Sequence, residues 1–353
     1  MSLITYLTRI HFAERVLEDA LPEAMRRLSA RRPLLLADED GLCGEGFARL
    51  EDALPPGTRA QLLPTIAAEP DRALLQSALA AYQDGGCDVI VALGGTAALT
   101  FARMLAAMPG AGAAGLPLIA VPATVAGVGL GPVHPPVPGK AIGAAVPAAI
   151  LCDPTLSMAI GPERTAAHGF DALTHCIEAF LSTAYNPPAD GIALEGIRRA
   201  TLHLERAVAD RGDLEAQREL LAVALNAGLA AQKGLGGVAA LARAAEAEWG
   251  LARRHGTLNA ALMRPVLTFN APAVGDRYRR IAEAMVLPPD ADVTVELARL
   301  GARLGLPDRI GALRTGTRRL SSVARKAAAD PANQTNPRHA TPHDYLVLLE
   351  EAF

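Results

Sequence analysis

Absences narrow the possibilities first. The chain has only four cysteines, Cys43, Cys87, Cys152 and Cys176, and no two of them form a C-x-x-C pair. That argues against a zinc ribbon and fits reduced thiols in a cytoplasmic protein. There is no excess of charge of one sign: the formal net charge is −3, which gives no electrostatic footing for nucleic acid or an anionic membrane surface. There is no long apolar run either. The longest stretch, Ala141 to Cys152, is broken by Gly143 and Pro147 and is too short to span a bilayer. The N-terminal apolar stretch carries Arg9, Glu14, Arg15, Glu18 and Asp19, which excludes a signal peptide. Internal repeats and low-complexity segments are missing.

What remains is a composition half hydrophobic and one fifth charged over 353 residues, enough for two domains with sizeable cores. The first part alternates apolar runs with helical patterns. Residues 3–12 read as extended, and a helix follows to about Leu28. Pro33 to Ala37 (PLLLA) reads as a buried parallel strand ending in Asp38. An acid at that end of a strand stands where doubly wound sheets read a nucleotide ribose, although Asp38-Glu39-Asp40-Gly41 also makes a good turn. The strand through Val89 to Leu93 runs into Gly94-Gly95-Thr96-Ala97 and a helix. Strand, glycine turn and helix N-terminus together offer backbone N–H groups to a phosphate, or simply make a tight connection. Another strand, Leu116 to Val121, ends in a small-residue loop containing Thr124, and a last strand closes at Cys152. Beyond it the pattern is helical to the end. The reading is an α/β domain with a doubly wound, mostly parallel sheet over 1–157, an all-helical domain over 158–353, and a cleft between them.

One stretch of the helical part carries chemistry. In Gly169 to Glu178 (GFDALTHCIE), Asp171 and His175 are four residues apart, so on a helix they share a face one turn apart. A carboxylate and an imidazole so placed can hold a divalent metal or handle a proton. An isolated D-x-x-x-H is more often a helix acid and a core histidine.

The flanking segments resemble the iron-containing (group III) alcohol dehydrogenases, relatives of glycerol dehydrogenase and dehydroquinate synthase. CDVIVALGGTAALTFAR resembles their strand and pyrophosphate loop, and PLIAVPATVAGVG their next loop. CDPTLSMAIGPERTAAHGFDALTHCIEAFLSTAYNPPAD is close to consensus throughout. LNAGLAAQKGLGGV, RRHGTLNAALMRPVLTFN and the terminal TNPRHATPHDYLVLLEEAF follow in order. The resemblance implies an NAD-dependent oxidoreductase that interconverts a small alcohol and its aldehyde or ketone at an iron or zinc ion in the cleft. Asp171, His175 and His255 fall on metal ligands. Asp38 falls on the ribose acid and favours NAD over NADP, because a carboxylate repels a 2′-phosphate. Gly94, Gly95 and Thr96 fall on the pyrophosphate loop, and Thr124 on a nucleotide-contacting threonine. A small-molecule substrate and a homodimer are also implied.

The sequence departs from the pattern inside the functional motifs. A ligand histidine is replaced by Ala239, and a second histidine one turn later by Arg243. The nucleotide motifs carry Thr96, Ala97, Thr100 and Arg103 in the first loop and Val128, Gly129 and Leu130 in the second. These changes leave two alternatives open: a catalytically silent or metal-free ligand-binding scaffold, and a metal-free reductase with Arg243 as electrophile. On the helix geometry alone, Arg243 either pairs with Asp171 or points to solvent.

Overall fold

The computed structural model describes residues 8–63, 66, 72–109, 115–125, 145–251, 254–313 and 319–353. Expectations for 126–130 and for the proline-rich 133–137 fall outside the described residues. One compact unit runs to Ile160 and the other begins at Gly161.

Among the described residues, the first unit is built on six strands: β1 (Arg9–Phe12), β2 (Pro33–Ala37), β3 (Gln61–Leu62), β4 (Val89–Gly94), β5 (Leu118–Pro122) and β6 (Ala149–Cys152). They lie in the order β1-β6-β5-β4-β2-β3, and every pairing is parallel. Helices α1 (Leu17–Arg27), α2 (Gly46–Asp52), α3 (Arg72–Asp84) and α4 (Thr96–Ala106) connect them. β2, β4, β5 and β6 are buried along their whole length, which is why they read as unbroken apolar runs rather than as alternation. Leu17, Leu21 and Met25 of α1 pack with Leu35, Val91, Val121 and Leu151 of the sheet in one core. The sequence pattern missed α2. It also began α1 four residues early, because Ala13 to Val16 form a turn with Arg15 at φ 54°.

Register fixes the functional end of the sheet. Ala37 of β2 is level with Leu93 of β4, and Gly94 is level with Pro122 of β5. Asp38, the glycine turn and Thr124 therefore emerge side by side at the carboxyl ends of three adjacent strands, where open α/β sheets take their ligands.

The second unit is helical. It follows the short α5 (Pro154–Ser157) and comprises α6 (Pro162–Leu181), α7 (Pro187–Ala209), α8 (Leu214–Ala230), α9 (Gly237–Trp249), α10 (His255–Asn270), α11 (Arg277–Ala284), α12 (Val293–Arg303), α13 (Leu320–Ala329), α14 (Pro331–Thr335) and α15 (Pro342–Ala352). Helix α6 begins with proline at its first position and runs unbroken for 20 residues, so Asp171 and His175 stand mid-helix. Phe170, Leu173, Ile177 and Phe180 bury the rest of that helix. Among the described residues, no helix is long and apolar enough to cross a membrane.

Candidate metal centre and nucleotide turn

Two helices bring the triad together. Helix α6 supplies Asp171 and His175 one turn apart, and α10 supplies His255 from its first turn. Asp171 Oδ1 lies 3.6 Å from His175 Nε2 and 3.8 Å from His255 Nε2. One donor atom from each residue falls within 4.8 Å of the other two. Two ligands of a tetrahedral zinc sit about 3.3 Å apart, given metal–ligand bonds of about 2.0–2.1 Å, so the observed spacings are close to those of a filled site. Two imidazoles and a carboxylate with open positions suit zinc or ferrous iron.

The surroundings favour the same use. His255 Nδ1–H donates to Glu246 Oε2 at 2.8 Å, which fixes the tautomer and turns Nε2 towards Asp171. A carboxylate behind a histidine in this way is the usual support of a metal ligand. Burial works against a charge on His255, but Glu246 and Asp171 outweigh it and raise its pKa to about 9. Burial lowers the pKa of His175, and Asp171 only partly opposes this. Asn259, four residues after His255 on the same face of α10, donates from Nδ2 to Asp171 Oδ1 at 2.7 Å. Its Oδ1 is buried and makes no hydrogen bond among the described residues. An orphaned acceptor in such a place marks room for a missing donor.

Gly256 makes the approach possible. A Cβ at that position would run into the carbonyl oxygen of Ala167, so α10 can close on α6 only with glycine beside His255. Gly256→Ala is expected to push the helices apart. The overpacking is worth about 3 kcal/mol of stability, the upper end for a backbone contact that cannot yield. A lowered thermal midpoint with at least tenfold weaker metal binding is the outcome to look for in calorimetric titration.

Two of the changed family positions, Ala239 and Arg243, have defined partners. Ala239 brings a methyl group where the resemblance has an imidazole, and its backbone N–H is given to Glu178 Oε2 at 3.1 Å. The Val238 N–H is given to Oε1 at 2.7 Å. Glu178 thus caps α9 from inside the protein. Burial pushes its pKa up to about 6, against the pull of those N–H groups. Arg243 neither pairs with Asp171 nor points to solvent, the two options that helix geometry left open. Its Nε and Nη2 form a fork on Asp330, at 3.0 and 2.6 Å.

In the first unit, Asp38 is 2 % exposed. Its carboxylate accepts the N–H groups of Gly41 (3.0 Å), Gly95 (3.0 Å) and Ala98 (3.0 Å). It therefore ties the β2 loop to the β4–α4 turn and caps α4, a role that the ribose assignment did not foresee. A Cβ at Gly94 would strike Asp38, and one at Gly95 would strike Asp40, which explains both glycines. Thr124 is fully buried with Oγ1 near the same point over Gly95, while Thr96 is exposed. Thr96 and Ala97 are the N–H donors of the turn that Asp38 does not take.

Sequence reasoning missed Glu178, Glu246, Asn259 and Asp330. Two of them had a signal: Glu178 is three residues after His175, and Asn259 four after His255, so each shares a helix face with a named ligand.

The first unit is a parallel α/β sheet with a glycine turn at the carboxyl ends of its strands, and the helical unit carries an Asp-His-His cluster that could hold a metal ion. Family comparison makes this specific. Residues 8–130 match the family described as iron-containing alcohol dehydrogenase, and 165–353 match the C-terminal part of the Fe-containing alcohol dehydrogenase family. The chain belongs to that family and is an alcohol dehydrogenase-like oxidoreductase. It is 34% identical over 386 residues, covering 100% of both chains, to a 4-hydroxybutyrate dehydrogenase of Cupriavidus necator. It is 30% identical to the 1-propanol dehydrogenase PduQ of Citrobacter freundii, over 93% of this chain and 95% of that protein. The fold matches the crystal structure of maleylacetate reductase from Agrobacterium tumefaciens at a TM-score of 0.84 and 24% identity, covering 100% of this chain and 99% of that one.

Proposed function

We propose that the protein is an NAD-dependent oxidoreductase acting on a short alcohol and its aldehyde, with one divalent ion held by Asp171, His175 and His255. The observation that carries this reading is the convergence of those three donors, with Glu246 behind His255 and Asn259 behind Asp171. When bound, the ion supplies Lewis-acid polarisation of the substrate oxygen. The chain's own residues do the rest. Glu246 keeps His255 Nε2 turned to the ion, Asn259 holds Asp171, and the buried Oδ1 of Asn259 is free to accept a hydroxyl proton donor. Hydride transfer belongs to the nicotinamide. For that cofactor the β4–α4 turn offers Thr96 and Ala97 N–H, with Thr124 beside it. Asp38 and Asp40 carry negative charge next to the turn, which disfavours a 2′-phosphate and supports NAD rather than NADP.

The 4-hydroxybutyrate dehydrogenase relative makes 4-hydroxybutyrate the first substrate to try. Protein reconstituted with iron or zinc should reduce NAD+ in its presence, and NADH should show enhanced fluorescence on binding. A protein that binds no NADH and turns over no alcohol with either metal would contradict the reading. A second reading, a silent scaffold, draws on Ala239 and on the two turn N–H groups already taken by Asp38. The same NADH titration decides between them.

A further inference from the structure

Helix α9 presents one stripe, Ala239, Arg243 and Glu246, at i, i+4 and i+7, which share a helix face. Both ends of the stripe are fixed by direct contact with the helices of the triad. Ala239 N–H meets Glu178, three residues beyond His175 on α6, and Glu246 meets His255 on α10. Arg243 stands between these anchors, about 4.5 Å along the axis from Glu246 at a rise of about 1.5 Å per residue. The fork on Asp330 occupies Nε and Nη2 and so fixes the guanidinium plane. Asp330 is itself held in place, because its Oδ1 also caps α14 through the N–H of Ala332. The remaining Nη1 edge lies outside that pair, on a side chain still 19 % exposed. A planar guanidinium held from behind by one carboxylate is prepared to receive a second.

We propose that Arg243 is the specificity residue for a carboxylate at the far end of the substrate, and that the chain acts on a short ω-hydroxy acid and its aldehyde acid. The hydroxyl end lies at Asp171, His175 and His255, and the carboxylate binds the Nη1 edge of Arg243. Ala239, with only a methyl group, leaves the path between the two ends free of an imidazole. This inference rests on the dehydrogenase reading above.

The test uses a matched pair, 4-hydroxybutyrate and 1-butanol, which share a chain length and a hydroxyl end and differ in the carboxylate. Metal-reconstituted full-length protein is assayed with NAD+ on both, and calorimetry measures the binding of butyrate, which cannot turn over. The variants are Arg243→Gln and the double variant Arg243→Gln, Asp330→Asn. The double variant removes both members of the Arg243–Asp330 pair together. We expect kcat/KM to favour 4-hydroxybutyrate by about 100-fold or more, because a site built to pair a polar group rejects the analogue that lacks it. The preference should collapse towards one in both variants, and butyrate binding should be lost with it.

Equal use of the two substrates, or a preference that survives in the double variant, would overturn the inference and leave the dehydrogenase reading intact. If neither substrate turns over, the dehydrogenase reading fails, and butyrate still decides about Arg243. Binding that depends on Arg243 supports it as a carboxylate site, and no binding by the wild type refutes it.

Discussion

Asp171→Ala removes the shared oxygen of the triad, and the account expects a loss of metal-dependent turnover of about 1,000-fold or more, the scale of a lost transition-state electrostatic interaction. The effect should be graded through the surrounding contacts. Glu246→Gln keeps the shape behind His255 but not the charge, and metal affinity should fall about 10- to 100-fold. The two variants are compared by competition against a chelating dye. The same measurement has a pH signature. His255 must give up its proton to bind an ion, and Glu246 and Asp171 hold that proton until about pH 9. Below that point protons compete, so apparent affinity should rise about tenfold per pH unit up to about 9 and then level off. Burial lowers the pKa of His175, so protons compete for it less than for His255. In Glu246→Gln the levelling point should move to lower pH, since one of the two supporting charges is gone.

Asp38→Ala is the second large effect, and it is read as stability. The carboxylate serves three backbone N–H groups, of Gly41, Gly95 and Ala98, in a position cut off from water. Stranding buried donors is worth about 1–3 kcal/mol each, with water entering to relieve part of it. A loss of about 3–5 kcal/mol in urea denaturation is expected on that basis. Asp38→Asn retains one acceptor oxygen and should lose less. Had Asp38 served only a ribose, the substitution would change NAD affinity and leave stability almost unmoved. The urea midpoint therefore separates the two roles.

Much of the fold was legible because burial leaves a plain trace. PLLLA and VIVALG are apolar on both faces because helices cover both sides of a parallel sheet, and the helical stretches announced themselves with proline at α6 and α7. The short α2 left too little periodicity to read. In the site, Asp171 and His175 were visible through helix spacing, but His255 is 80 residues beyond His175 and needed the resemblance. The supporting contacts were invisible for a physical reason. Glu246 reaches His255 across a break between helices, Asp330 reaches Arg243 from 87 residues away, and neither distance follows from a local period. Asp38 shows the converse: its position at the strand end was legible, but the three N–H groups converging on it come from two segments that only the sheet brings together.

The measurement closest to the central claim is metal content by inductively coupled plasma mass spectrometry. The protein is purified without chelators, reconstituted with iron or zinc, and compared with an Asp171→Ala, His255→Ala double variant. The account predicts about one equivalent of divalent metal in the wild type, following from a single three-donor site, and background in the double variant. Wild-type content no higher than that background would contradict it, and would make Ala239 the mark of a site that no longer holds an ion.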